Sequence, residues 1–198
     1  YGFGPNTLDG NVITGNVASG TGSYGRGGGL YVQNASLYLN NNAVTDNYAV
    51  NQGSGAGFYA TYNFFTTSYL WHNTFARNFG GDGTAVRVDT DGGGVPTVFF
   101  SNTLVFSHTY GVRNGAGVVT MTRTLWDGNI TDTVGTVSDL NALAGAAALA
   151  SDGYHLTPAS AALDQALSTA LTTDVDGQPR AMGPFPDIGA DEYAYSAY

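Results

Sequence analysis

Residues 41–47 read NNAVTDN. The core of the phrase runs from Asn42 to Asn47: an Asn, an apolar residue two positions on, and a second Asn five positions on. The same phrase stands at NVITGN (11–16) and NTFARN (73–78). Counted between first Asn residues, the interval is 31 from Asn11 to Asn42 and 31 again to Asn73. It is 29 to Asn102, where NTLVFS carries Ser107 in place of the second Asn. A fifth copy, TLWDGN (124–129), begins 22 residues later and keeps only its second Asn. A recurrence of this size marks a repeat architecture, in which each unit packs on its neighbours.

Ahead of each later phrase lies a longer run: 30–41 (LYVQNASLYLNN), 57–72, 85–101 and 111–123. Apolar and polar residues alternate within these runs, as in Leu37 and Leu39, Val98 and Phe100, and Val119 and Met121. Period-two alternation predicts half-buried strands. Gly and Asn clusters between them supply positive-φ corners. Units of this length are short for propeller blades, and a sandwich would pair its strands within a unit. A solenoid explains the in-phase recurrence. Like residues then sit above one another at about 4.8 Å, the apolar residue stacks inside, and the Asn side chains form ladders. Gly-rich lead-ins such as 19–29 and 89–96 vary in length, as loops on one face of a solenoid do.

The bulk composition agrees. In 198 residues, 42% are hydrophobic, only 11% are charged and 29 are Gly. All six basic residues are Arg, and the net charge is −9. Such a chain repels nucleic acid, and no basic patch offsets that. There is no Cys, so neither a disulfide frame nor a thiolate metal site exists. No apolar run reaches the length of a membrane span. The chain opens directly into repeat-like sequence, which reads as an internal or mature piece of a longer precursor.

The pattern changes after Asn129. The Ala/Leu-rich stretch 138–153, with Ser138 as N-cap and Gly153 beyond its end, predicts a short helix covering the open end of the solenoid. The expected division is 1–137 for the coils and 138–198 for a C-terminal cap and tail. In the tail, YHLTPASAALD (154–164) and DVDGQPRAMGPFPDIGADEY (174–193) resemble the ends of bacterial right-handed parallel β-helix surface proteins of the choice-of-anchor type. The matching residues are Tyr154, Leu156, Pro158, Ser160, Ala162 and Asp164, then Asp174, Asp176, Gly177, Arg180, Asp187, Ile188, Gly189, Ala190, Glu192 and Tyr193. The chain departs where that family continues Asp-Ala-Gly and this one has Asp164-Gln-Ala-Leu. The resemblance implies an all-β, right-handed parallel β-helix of about five coils, secreted or at the cell surface, and says little about activity.

Asp174 and Asp176 before Gly177 look like the opening of a calcium loop, without the Glu that would complete it. The alternative is a turn in which Arg180 pairs with Asp187 or Glu192 and pins the tail to the last coil. Resemblance to β-helix polysaccharide lyases would imply a Lys or Arg base beside acids that hold calcium. Arg87, Asp89 and Asp91 share one side of a strand and form the best cluster, with Arg113 a coil later. An ordinary solvated strand face is the competing reading. A glycosidase would need two facing carboxylates. His72, His108 and His155 share no coil period and read as separate residues. Tyr59, Tyr62, Phe64, Phe65, Tyr69 and Trp71 crowd one coil, and the outward ones suit stacking on sugar rings. The reading that results is a non-catalytic extracellular module for adhesion or matrix and filament assembly, with end-to-end self-association. A lyase-like or glycosidase-like enzyme, or a carbohydrate-binding module, is the alternative.

Overall fold

The computed structural model describes residues 5–18, 25–50, 55–62, 66–90 and 92–195. The chain climbs in coils that lay equivalent strands side by side. The first coil holds β1 (Asn6–Asp9), β2 (Val12–Thr14), β3 (Val17–Ala18) and β4 (Leu30–Gln33). The second holds β5 (Leu37–Asn40), β6 (Ala43–Thr45), β7 (Tyr48–Ala49) and β8 (Phe58–Tyr62). The third holds β9 (Thr67–Trp71), β10 (Thr74–Ala76), β11 (Phe79–Gly80) and β12 (Thr84–Thr90). Three strands make the fourth: β13 (Thr97–Ser101), β14 (Leu104–Phe106) and β15 (Tyr110–Asn114). Three more make the fifth: β16 (Val118–Thr122), β17 (Leu125–Asp127) and β18 (Thr131–Val134). A partial sixth has β19 (Val137–Leu140) and β20 (Leu143–Ala144).

Four parallel sheets result. Sheet A is β1-β5-β9-β13-β16-β19, sheet B is β2-β6-β10-β14-β17-β20, sheet C is β3-β7-β11, and sheet D is β4-β8-β12-β15-β18. The fold is all-β, with parallel strands in stacked sheets, and is consistent with a parallel β-helix. Among the described residues there is no helix, and so none long and apolar enough to cross a membrane.

Register places like on like. Ile13, Val44, Phe75, Val105 and Trp126 form one inward column in sheet B. Leu8, Leu39, Leu70, Phe100 and Met121 form another in sheet A. Together with Phe58, Val86 and Val112 of sheet D they make one continuous core. The alternation predicted at Leu37/Leu39, Val98/Phe100 and Val119/Met121 points these residues into it.

The corners explain the repeated phrase. Gly10, Asn41, His72, Asn102, Arg123 and Asn141 all take φ between +52° and +65° where the chain turns from sheet A to sheet B. The residue after each corner carries the ladder. The Asn11 and Asn42 amides donate to the Oδ1 of Asn42 and Asn73, each at 3.0 Å. The second ladder runs through Asn16, Asn47, Asn78, His108 and Asn129.

Two alignments made from sequence shift by one residue. Asn102 is a corner residue equivalent to His72, and Thr103 takes the place of Asn73, since Phe75 pairs with Val105. Likewise His108, not Ser107, succeeds Asn78. Its Nε2 accepts the Asn78 amide at 3.2 Å.

The predicted helix at 138–153 does not form. Val137–Leu140 and Leu143–Ala144 extend sheets A and B instead, because the exposed edges of β16 and β17 offer ready hydrogen-bond partners. Helix propensity is a weak prior that such tertiary context overrides. The rest of the tail lies along the flank of the coils, over the outer face of sheet B. There Leu104, Leu125, Ala147, Leu156, Ala162, Ala166 and Ile188 form a second core.

The tail is tied back as far as the second coil. The Ala190 amide donates to Thr74 Oγ1 at 2.9 Å, Gly189 donates to the Asn102 carbonyl at 3.0 Å, and Arg180 Nε reaches Asn41 Oδ1 at 3.3 Å. The expectation that Arg180 would anchor the tail to the last coil is therefore corrected. It pairs with Glu192 at 3.2 Å, both side chains almost fully buried, against the coils' side.

Candidate functional site

The strand β12 projects Arg87 and Asp89 outward from sheet D. Arg87 is flanked in register by Tyr59 of β8 and Arg113 of β15. The predicted stacking of Arg113 on Arg87 is present, and a residue that the sequence did not place beside them completes the group. Asp82, in the Gly-rich turn before β12, places Oδ2 3.3 Å from Arg87 Nη1 and 3.4 Å from Arg113 Nη1. Asp89 Oδ2 accepts from Arg87 Nη2 at 2.8 Å and from Nε at 3.1 Å. Burial works to lower the Arg87 pKa, but the Asp89 hydrogen bond and the Asp89 and Asp82 charges outweigh it and raise it. A guanidinium held in that state is a fixed cation, the opposite of a general base. Asp91, the third member of the expected cluster, lies outside the described residues.

The aromatic coil divides between two faces. Tyr59 is 3% exposed, covered by Tyr31 at 5.7 Å and by Arg26 at 5.3 Å from its ring centroid. As a sugar platform it is corrected: its ring is shut away from solvent. The Tyr62 side chain, Phe64 and Phe65 lie outside the described residues. Tyr69 and Trp71 do face outward, on sheet A. Tyr69 stacks between Tyr38 at 5.2 Å and Phe99 at 5.4 Å, with Trp71 edge-on to Tyr69 at 5.8 Å. Rings spaced by the strand repeat take up one another's faces, so the column presents edges and hydroxyls to solvent.

The tail gathers the carboxylates. Asp174, expected to open a calcium loop, receives the amides of Asp176, Gln178 and Glu192 at 2.9, 2.7 and 3.0 Å. Both of its oxygens thus accept main-chain hydrogen bonds. Asp187 accepts the amides of Asp164 and Tyr193 at 2.6 and 2.8 Å. Glu192 accepts those of Met182 and Asp187 at 2.9 and 3.0 Å. Burial pushes the Asp187 and Asp191 carboxyls up to about 6, against backbone donors that pull the other way.

The histidines separate into two kinds. His72 and His108 are buried members of the corner and ladder columns. Asn102 Nδ2 donates to His72 Nε2 at 2.8 Å, and His72 Nδ1 lies 3.2 Å from the Asp187 carbonyl, a pattern that fits the neutral ring. Burial, with the Arg180 charge, lowers the His72 pKa to about 3; burial lowers that of His108 to about 4.

His155 is different. Its Nδ1 is 2.6 Å from Asp152 Oδ2 and its Nε2 is 2.7 Å from Asp176 Oδ2. Burial lowers its pKa, but hydrogen bonds to Asp152 and Asp176 overcome that and raise it. The neighbours are 3 and 21 residues away in sequence, so no local spacing announces the cluster. No protein family, no curated protein and no solved structure matches this chain.

Proposed function

We propose that this chain is a non-catalytic extracellular module, secreted or held at a cell surface, whose coils close into a right-handed parallel β-helix and which serves adhesion or assembly. The observation that carries the reading is the first coil. Its inward residues Leu8 and Ile13 are only partly buried, Val12 and Val17 are 45% and 59% exposed, and β1, β2 and β3 end their sheets among the described residues. The edge of β1, β2 and β3, with Asp9 as its one charge, accepts a further strand, from a second copy or from a preceding part of a longer chain, through main-chain hydrogen bonds and side-chain stacking. The far end is blunted. Asp139 follows Met121 in the inward column, and its Oδ2 accepts the Trp126 indole N–H at 2.7 Å. An inward charge opposes strand addition. Assembly through the first coil alone gives pairs, and an open filament requires the Asp139 end to take a strand as well. The self-neutralised Arg87 group supports the non-catalytic reading.

Light scattering across a concentration series tests this. Association is expected, and Ile13→Glu removes it. A monomer at millimolar concentration would sink the assembly reading. The second reading, carbohydrate binding, is favoured by the outward Trp71, whose ring stands at 69° and 64° to those of Tyr38 and Tyr69 and is stacked on neither. A glycan array with wild type and Trp71→Ala decides it: retention of some glycan by wild type that the variant loses supports it, and no retention removes it.

A further inference from the structure

We infer that the tail holds a divalent transition-metal site formed by His155, Asp176 and Asp191. One ligand atom from each lies within 4.8 Å of the other two. Around a tetrahedral zinc ion with bonds of about 2.0–2.2 Å, such atoms stand roughly 3.3 Å apart, so small side-chain movements close the site. Three separate tail segments supply the ligands: the 152–155 turn, the Asp-x-Asp-Gly turn, and the run before Tyr193.

An independent observation points to a cation here. Asp191 is 3% exposed, and its Oδ2 accepts the Leu156 amide at 2.7 Å. Its Oδ1 is buried and has no hydrogen-bond partner. An unpartnered buried carboxylate oxygen is costly, and a bound cation is the kind of neighbour that offsets the cost. Asp152 completes the arrangement from behind. Its carboxylate holds His155 Nδ1 at 2.6 Å, which turns Nε2 toward Asp176. A carboxylate on the distal nitrogen is the usual support for a metal-binding imidazole.

The donor set names the metal class. One imidazole nitrogen and two carboxylate oxygens suit zinc or another first-row divalent ion, whereas calcium and magnesium take all-oxygen shells. His155 and Asp176 remain partly exposed, which leaves an approach for the ion and a position for water. The site is independent of the assembly reading, since the tail alone supplies its ligands.

Metal content by mass spectrometry after dialysis against zinc, with thermal unfolding of the full chain in zinc, manganese or calcium, tests the site. One zinc per chain is expected, with a saturable rise in Tm of several degrees that calcium does not reproduce. His155→Gln, at a partly exposed position, is expected to keep the wild-type circular dichroism and lose both effects. Asp191→Asn is expected to bind at least tenfold more weakly. A stoichiometry near zero, a zinc response retained by His155→Gln, or an equal response to calcium each overturns the site. The wild-type stoichiometry decides the matter even if a variant fails to fold.

Discussion

The coils and the tail reach burial by opposite routes. In residues 6–144 order comes from repetition: parallel strands in matched register, inward columns that stay apolar until Asp139, and Asn side chains that hand one hydrogen bond to the next coil. Among the described residues beyond 144 there is almost no regular structure, only isolated bridges at Leu149–Leu156 and Thr173–Pro179. There Asp174, Asp187, Asp191 and Glu192 are all buried and grip backbone amides, with Arg180 among them. Where no ladder exists to satisfy the main chain, carboxylates take over that task, and the cation offsets part of their charge.

Breaking the tail's clasp has the largest expected effect. Arg180→Ala leaves Glu192 buried without its cation, which typically costs about 3–5 kcal/mol. Denaturant unfolding should show that loss, and limited proteolysis should cut within 164–195 while the β signal of the coils persists. Simultaneous loss of the sheets would mean the tail is integral to the coils. Asn47→Ala tests the other side. It strips partners from the Asn16 amide and the Ile13 carbonyl inside a ladder, a loss of about 1–3 kcal/mol, with unfolding remaining a single transition.

The last effect concerns pH. His108 binds its proton with a pKa of about 4 folded and 6.5 unfolded. The unfolded chain therefore holds more protons between those values, and stability present above pH 6.5 is lost as pH falls toward 4. His108→Asn, which restores the residue type of the other ladder positions, should flatten the slope by roughly 1.4 kcal/mol per pH unit in that window. Asp187 and Asp191, with raised values, act in the opposite direction, but they cancel in the difference between variant and wild type. An unchanged slope would show that His108 is not the titrating group.

Much of this contrast is visible in the chain itself, and the misreadings have physical causes. The Asn phrase and the alternating runs gave parallel strands in register, and Val44 does lie against Phe75. In the fourth coil the letters of the phrase align one residue early, which would point Leu104 inward. Register turns Val105 inward and sends Leu104 to the second core, because a slip of one residue reverses a strand's faces. A signal was available. Leu104-Val105 and Leu125-Trp126 are apolar on both faces, unlike Thr74-Phe75, and a strand apolar on both faces is covered on both. The Ala-rich stretch looked helical by composition. Ala147 instead serves close approach of the tail to sheet B. Arg87, Asp89 and Arg113 were legible as neighbours because strand and coil periods place them. Asp82 and the His155 cluster were not, since turns bring them in.

The sequence by itself determined that this chain stacks short parallel strands, because side-chain period and repeat length are local and show in the order of residues. Only the tertiary structure decided that the tail runs back along sheet B instead of covering the end, and that His155 meets Asp176 and Asp191. Those contacts join residues that no period relates, and they exist only once the flank of the coils is there to lie against.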